Sequence, residues 1–143
     1  MNVEIFKLRP DAVIPSYQTT GAAGFDFETL DEIIIEPNSI ALIPTGLVIK
    51  TPQNYMLVIS PRSSMPKKTG LRMPHSIGVI DSDYCGPADE VKIQVHNPTQ
   101  TPIIIEKGQK IAQGIFVPVT QAQFVEIAEN NNTTRGGFGS TGK

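Results

Sequence analysis

The chain has 143 residues, 12 of them basic and 14 acidic, for a formal charge of −2; that length fits one domain with a sizeable core, and that charge excludes a nucleic-acid coat while leaving room for a small anionic ligand held by local donors. No apolar run approaches the ~20 residues of a membrane span, and the opening Met1-Asn2-Val3-Glu4 has no basic leader. The one cysteine, Cys85, excludes an internal disulfide and fits a reducing, cytoplasmic setting.

In chain order, Val3-Glu4-Ile5-Phe6-Lys7-Leu8 alternates apolar and polar residues, the period of a half-buried strand, and Arg9-Pro10-Asp11 stops it. Thr19 to Gly24 is a loop of small residues, where backbone can approach a neighbour closely. It leads into Phe25-Asp26-Phe27, where Asp26 is either a turn-capping aspartate or a functional carboxylate. Short apolar runs follow at Glu32–Glu36, Ser39–Ile43, Gly46–Lys50 and Tyr55–Ser60, separated by Pro37-Asn38, Pro44-Thr45 and Thr51-Pro52-Gln53-Asn54. Short strands at regular spacing with Pro, Asn and Gly between them predict an all-β sandwich or barrel of jelly-roll type. The only helix expected is a turn or two after Arg62, capped by Ser63 or Ser64, with Pro66 in its first turn.

In Gly78-Val79-Ile80-Asp81-Ser82-Asp83-Tyr84, the β-branched pair favours a strand and the acidic triplet a turn. A carboxylate is therefore expected at the tip or inner wall of a hairpin, with Tyr84 beside it. Such a pair suits a nucleotide pocket, where a ring packs on sugar or base while a carboxylate handles water or a metal; an ordinary surface hairpin is the plainer alternative. Val91–His96, Thr101–Glu106 and Ile111–Val119 read as further strands, and Phe124–Ile127 as the last core strand. From Ala128 the chain turns polar and then glycine-rich, which predicts a β domain over 1–127 and a flexible arm over 128–143. Arg135, Phe138, Ser140 and Thr141 are the residue types an arm needs to close over a phosphorylated ligand, although the composition alone favours a disordered terminus.

Pro61-Arg62-Ser63-Ser64 follows a strand and opens a helical turn, so a guanidinium, two hydroxyls and free N–H groups gather where an anion binds. Gln113 is either a phosphate donor or a plain strand residue. Cys85 has no base beside it in sequence, and His75 and His96 lack partners at zinc spacing, so all three read as structural. Neither a phosphate-binding glycine loop of the Walker type nor a nucleophile elbow is present.

Five blocks occur in one order: Ala23-Gly24-Phe25-Asp26-Phe27, Pro61-Arg62-Ser63-Ser64, Gly78 to Tyr84, Gly108 to Gln113, and Gly136 to Gly142. Together they span nearly the whole chain and resemble the five-motif signature of the trimeric dUTPase family. The resemblance implies a jelly-roll-like distorted β-barrel with at most one short helix, assembled as a homotrimer with sites shared between subunits. It implies Mg²⁺-dependent hydrolysis of dUTP to dUMP and pyrophosphate by water attack on the α-phosphate, which limits uracil in DNA and supplies dUMP for thymidylate synthesis. In this resemblance Asp81 is the carboxylate that activates the water. Arg62, Ser63, Ser64 and Gln113 grip phosphate oxygens, and Asp26 touches the water shell of Mg²⁺. Backbone groups from about His75 through Ile80 to Tyr84 read the uracil edge, and Tyr84 lies under the deoxyribose. Phe138 closes over the base and Gly139 lets a backbone N–H turn toward an anion, with Arg135, Ser140 and Thr141 near the terminal phosphates. No nucleic acid and no membrane is implied as partner. A deaminase of the same superfamily would need a glutamate soon after Asp81, and none occurs before Glu90. The run Cys85–Glu90 is longer than the family pattern.

Overall fold

The computed structural model describes residues 1–137, and all but one of its regular elements are strands. In order they are β1 (Glu4–Lys7), β2 (Phe25–Glu28), β3 (Ile33–Ile35), β4 (Ile40–Pro44), β5 (Leu47–Lys50), β6 (Tyr55–Pro61), helix α1 (Met65–Thr69), β7 (Gly78–Ile80), β8 (Lys92–His96), β9 (Ile103–Ile105) and β10 (Lys110–Pro118). All pairings are antiparallel. They divide into a four-stranded sheet, β2-β10-β6-β7, and three ribbons, β1-β5, β3-β9 and β4-β8. The all-β class and the single short helix match expectation, while the ladders among the described residues form separate sheets and not one continuous closed barrel.

Burial alternates in β8 and runs over three consecutive residues in β2, β5 and β6. In β8, Ile93 and Val95 are fully buried while Lys92 is exposed, and the side chains that fill the interior are mostly β-branched or Leu: Ile35, Ile43, Ile49, Leu57, Ile59, Ile105 and Ile111. Of the buried polar residues Asn97 is the most enclosed, and it is satisfied. Its amide donates to the carbonyls of Ile35 (2.9 Å) and Thr101 (2.8 Å), and its Oδ1 accepts from Thr99 N–H at 2.9 Å, so it locks the β8–β9 connection onto β3. Helix α1 begins at Ser64 and stops at Gly70, whose φ of 79° lets its N–H reach the Pro66 carbonyl. Arg72 then exchanges two backbone hydrogen bonds with His96, which turns Leu71 and Met73 into the core.

Two expectations fail. The run Phe124–Ile127 forms no strand and pairs with none of the sheets, and its side chains are exposed. The stretch before Asp81 forms no local hairpin either. β7 is the edge of the main sheet, paired with β6, and the chain beyond Asp81 crosses to β8 in another sheet. Its loop closes on its own hydrogen bonds instead of pairing back on β7.

Candidate functional site

Register on β10 assembles the first part of the site. Gln113 stands opposite Asp26 on β2 and opposite Ser60 on β6, so one strand carries β2 and the end of β6 to the same level. One residue past β6, Arg62 donates its backbone N–H to the Ile111 carbonyl at 3.0 Å. Its Nε then lies 3.0 Å from Asp26 Oδ1, and its Nη1 reaches the Lys110 carbonyl at 3.5 Å. Asp26 sits inside a strand, nearly buried between Phe25 and Phe27, so it caps no turn. An ion pair of this kind, with one partner buried, holds its geometry better than a surface pair. The approach is close: a Cβ on Gly24 would fall 3.0 Å from Gln113 Oε1 and 3.2 Å from the Gly114 carbonyl, so a larger residue where β2 enters would press on Gln113. The small-residue loop was the only sequence signal for this.

Ser63 is exposed and Ser64 half-buried at the head of α1. Ser64 takes the cap position without a side-chain cap bond, which leaves its hydroxyl for another acceptor. Arg62, Ser63, Ser64, Gln113 and Asp26 thus gather at one end of the β6-β10-β2 surface, a set of donors that can take an anion, with a carboxylate against the guanidinium.

Asp81 is elsewhere. In the β6–β7 register Gly78 pairs with Ile59 and Ile80 with Leu57, so Asp81 comes level with Met56. Arg62 and Met56 are six residues apart, about 20 Å along an extended strand. Asp81 is exposed and opens onto a groove of about 510 Å³ with Tyr55, Val79, Asp83 and Gln121. Tyr84 follows in the same turn, its ring 41% exposed and its hydroxyl donating to the Glu90 carbonyl at 3.2 Å. His75 and Ile80 line a second groove, of about 220 Å³, with Met73, Gly78, Lys92 and Gln94. Within one chain the sequence-predicted residues therefore fall into two groups at opposite ends of β6. Arg135 is exposed in the irregular run after Pro118. Phe138, Gly139, Ser140 and Thr141 lie outside the described residues.

No group of three or more His, Cys, Asp or Glu side chains among the described residues can cage a metal. A hard cation at this end would meet one protein carboxylate, Asp26, beside ligand oxygens and water. That donor set fits Mg²⁺, which keeps its waters and takes few protein ligands.

Three comparisons bear on this arrangement. A family model described as dUTPase matches residues 11–142. The chain is similar, at 42% identity over the full length of both, to the deoxyuridine 5′-triphosphate nucleotidohydrolase of Nautilia profundicola. Among solved structures it is similar to a dUTPase from Streptococcus mutans, with a TM-score of 0.78 and 30% identity, covering 87% of this chain and 100% of that one. It also shares its fold with the dUTPase of Staphylococcus bacteriophage 80alpha, solved with dUPNHPP, at a TM-score of 0.87, 23% identity and 99% coverage of each.

Proposed function

This chain belongs to the dUTPase family, and from that membership we propose that it hydrolyses dUTP to dUMP and pyrophosphate with Asp81 as the base. The observation that carries the reading is the position of Asp81, a solvent-open carboxylate on the turn that ends β7, with Tyr84 beside it and a groove before it. Such a group can accept a proton from water without first breaking an ion pair, since no salt bridge among the described residues engages it.

The reaction follows from the two groups of residues. Asp81 orients a water and takes its proton as the oxygen attacks the α-phosphorus. The bond from that phosphorus to the bridging oxygen breaks, and pyrophosphate leaves with the electron pair. Arg62, the hydroxyls of Ser63 and Ser64, and the Gln113 amide hold phosphate oxygens and spread their charge; positioning and charge stabilisation supply most of the rate in such a transfer. Bound Mg²⁺ would supply charge neutralisation along the phosphates, with Asp26 facing its water shell. Tyr84 lies under the deoxyribose, and backbone groups between His75 and Ile80 read the uracil edge, so that cytosine leaves buried groups unpaired. Residues 128–143 act as an arm on the domain formed by 1–127. Arg135, Phe138, Gly139, Ser140 and Thr141 close with it over the nucleotide. The product and the removal of substrate serve dUMP supply and the exclusion of uracil from DNA.

Asp81 and Arg62 are too far apart on one chain to act on one phosphate group. We therefore place each site between subunits of a homotrimer of jelly-roll-like barrels, one chain giving the anion grip and another the base.

The direct test is pyrophosphate release from dUTP, dTTP, dCTP and UTP, with and without Mg²⁺. Turnover is expected to be far faster for dUTP than for dTTP, dCTP or UTP, and to need the metal. Asp81→Ala is expected to abolish release while still binding a non-hydrolysable dUTP analogue. Unchanged turnover in that variant would refute Asp81 as the base.

A further inference from the structure

The stretch between Tyr84 and Val91 hangs from one post. Asp89 accepts the Gly86 N–H at 2.6 Å and returns its own N–H to the Gly86 carbonyl at 3.1 Å, which closes the first half of the loop on itself. The second half is pinned to the β4–β5 turn. Glu90 Oε1 accepts the Gly46 N–H at 2.7 Å, the Thr45 hydroxyl donates to the Val91 carbonyl at 2.6 Å, and Val91 N–H donates to the Leu47 carbonyl at 2.8 Å. Gly46 cannot turn away. Its φ is +68°, and a Cβ there would stand 2.6 Å from Leu30 Cδ1. The Glu90 side chain is only 16% exposed, with Lys92 Nζ 3.6 Å from its other oxygen. The backbone carbonyl of this same glutamate accepts the Tyr84 hydroxyl.

We propose that Glu90 is a positioning residue for Tyr84: by anchoring its own carbonyl to the Gly46 turn, it sets the height of the Tyr84 ring and so the preference for deoxyribose over ribose. The inference rests on the reading that places Tyr84 under the sugar. It also explains how a loop of this length keeps a firm rim, since two carboxylates close it from inside.

The test uses the full-length protein and initial rates of pyrophosphate release from dUTP and UTP. The ratio of the two kcat/KM values does not depend on how much of a preparation is folded, so a purely structural loss leaves it unmoved. Glu90→Ala is expected to lower the dUTP-over-UTP ratio about tenfold, the scale of one lost hydrogen bond to a charged group, chiefly through a higher KM for dUTP. Glu90→Gln keeps an acceptor for Gly46 and leaves the ratio near the parent's. Tyr84→Phe removes the donor and lowers the ratio as Glu90→Ala does, and the double variant falls no further. A parent that prefers dUTP, with a Glu90→Ala variant that keeps this preference, overturns the inference. If Glu90→Ala does not fold, Tyr84→Phe decides: a lowered ratio supports the inference and an unchanged one overturns it. A parent that releases no pyrophosphate from dUTP defeats the proposed activity itself, and this inference with it.

Discussion

Arg62 Nε and Asp26 Oδ1 stand 3.0 Å apart, joined across β2, β10 and the end of β6, with the carboxylate side chain 10% exposed and the guanidinium 36%. One carboxylate oxygen thus lies in ion-pair contact with the guanidinium, and Oδ2 makes no salt bridge or side-chain hydrogen bond among the described residues. A single aspartate can therefore orient the phosphate grip and face a hydrated cation.

Asp26→Asn keeps the shape and removes the charge. Activity is expected to fall about 10–100-fold, the range for groups that orient a metal site, with a higher Mg²⁺ requirement. Thermal stability should change by less than ~1 kcal/mol, because the arginine stays solvated. A Mg²⁺ titration of turnover checks this; a curve that overlays the parent's leaves Asp26 with no part in the site.

The separation along β6 gives a mixing test. Arg62→Ala and Asp81→Ala are each expected to be inactive alone. Unfolded together and refolded, they should form mixed trimers with some sites carrying both intact groups, and part of the activity should return. A mixture that stays as inactive as its components would mean that each site is built within one chain.

Gly114 lies in the central strand of the main sheet, and a Cβ there would meet the Phe25 ring at 2.5 Å and Phe27 at 2.9 Å. Phe25 cannot yield easily, since it is buried against Phe27, Phe116 and Tyr17. Gly114→Ala is expected to cost about 1–3 kcal/mol through overpacking, seen as a Tm lower by several degrees. An unchanged Tm would show that the aromatic cluster repacks freely.

Arg9 ties three segments together. It pairs with Asp31 and with Asp11 (2.8 Å), and Asp11 also meets Lys107 at 3.2 Å. Hydrogen bonds from Arg9 hold both carboxyls below their usual range. Groups lowered in this way stabilise the fold above the ordinary aspartate pKa, about 3.9, and that contribution is lost as pH falls through the lower folded values. The Tm gap between the parent and Arg9→Met should therefore be fully open above pH ~5, narrow below pH ~4 and shrink in high salt. A gap independent of pH and salt would assign the effect to packing.

Strand positions were legible from short alternating or apolar runs set off by Pro, Asn and Gly. Val3–Leu8 became β1, Tyr55–Ser60 became β6, and the turn after Arg62 became α1. The pairing of Asp26 with Arg62 was not legible. It depends on β10 joining β2 to β6, and the 36 residues' separation between the two side chains carries no local signal. Glu90 was hidden for the same reason: its partner, Gly46, lies on a turn whose left-handed glycine is recognisable only once Leu30 and Ala12 close around it. The strand expected at Phe124–Ile127 had the right residues but pairs with no strand of its own chain, and pairing, unlike propensity, belongs to the assembled sheet.

β6 works as a ruler, and rulers resist insertion. One residue added between Tyr55 and Pro61 would turn Leu57 and Ile59 outward and reverse every facing side chain beyond it. The loop after Tyr84 begins and ends on its own fastenings, so it can lengthen without disturbing either neighbour. Length variation across descendants of this sequence should therefore accumulate between Tyr84 and Val91 and be absent from β6.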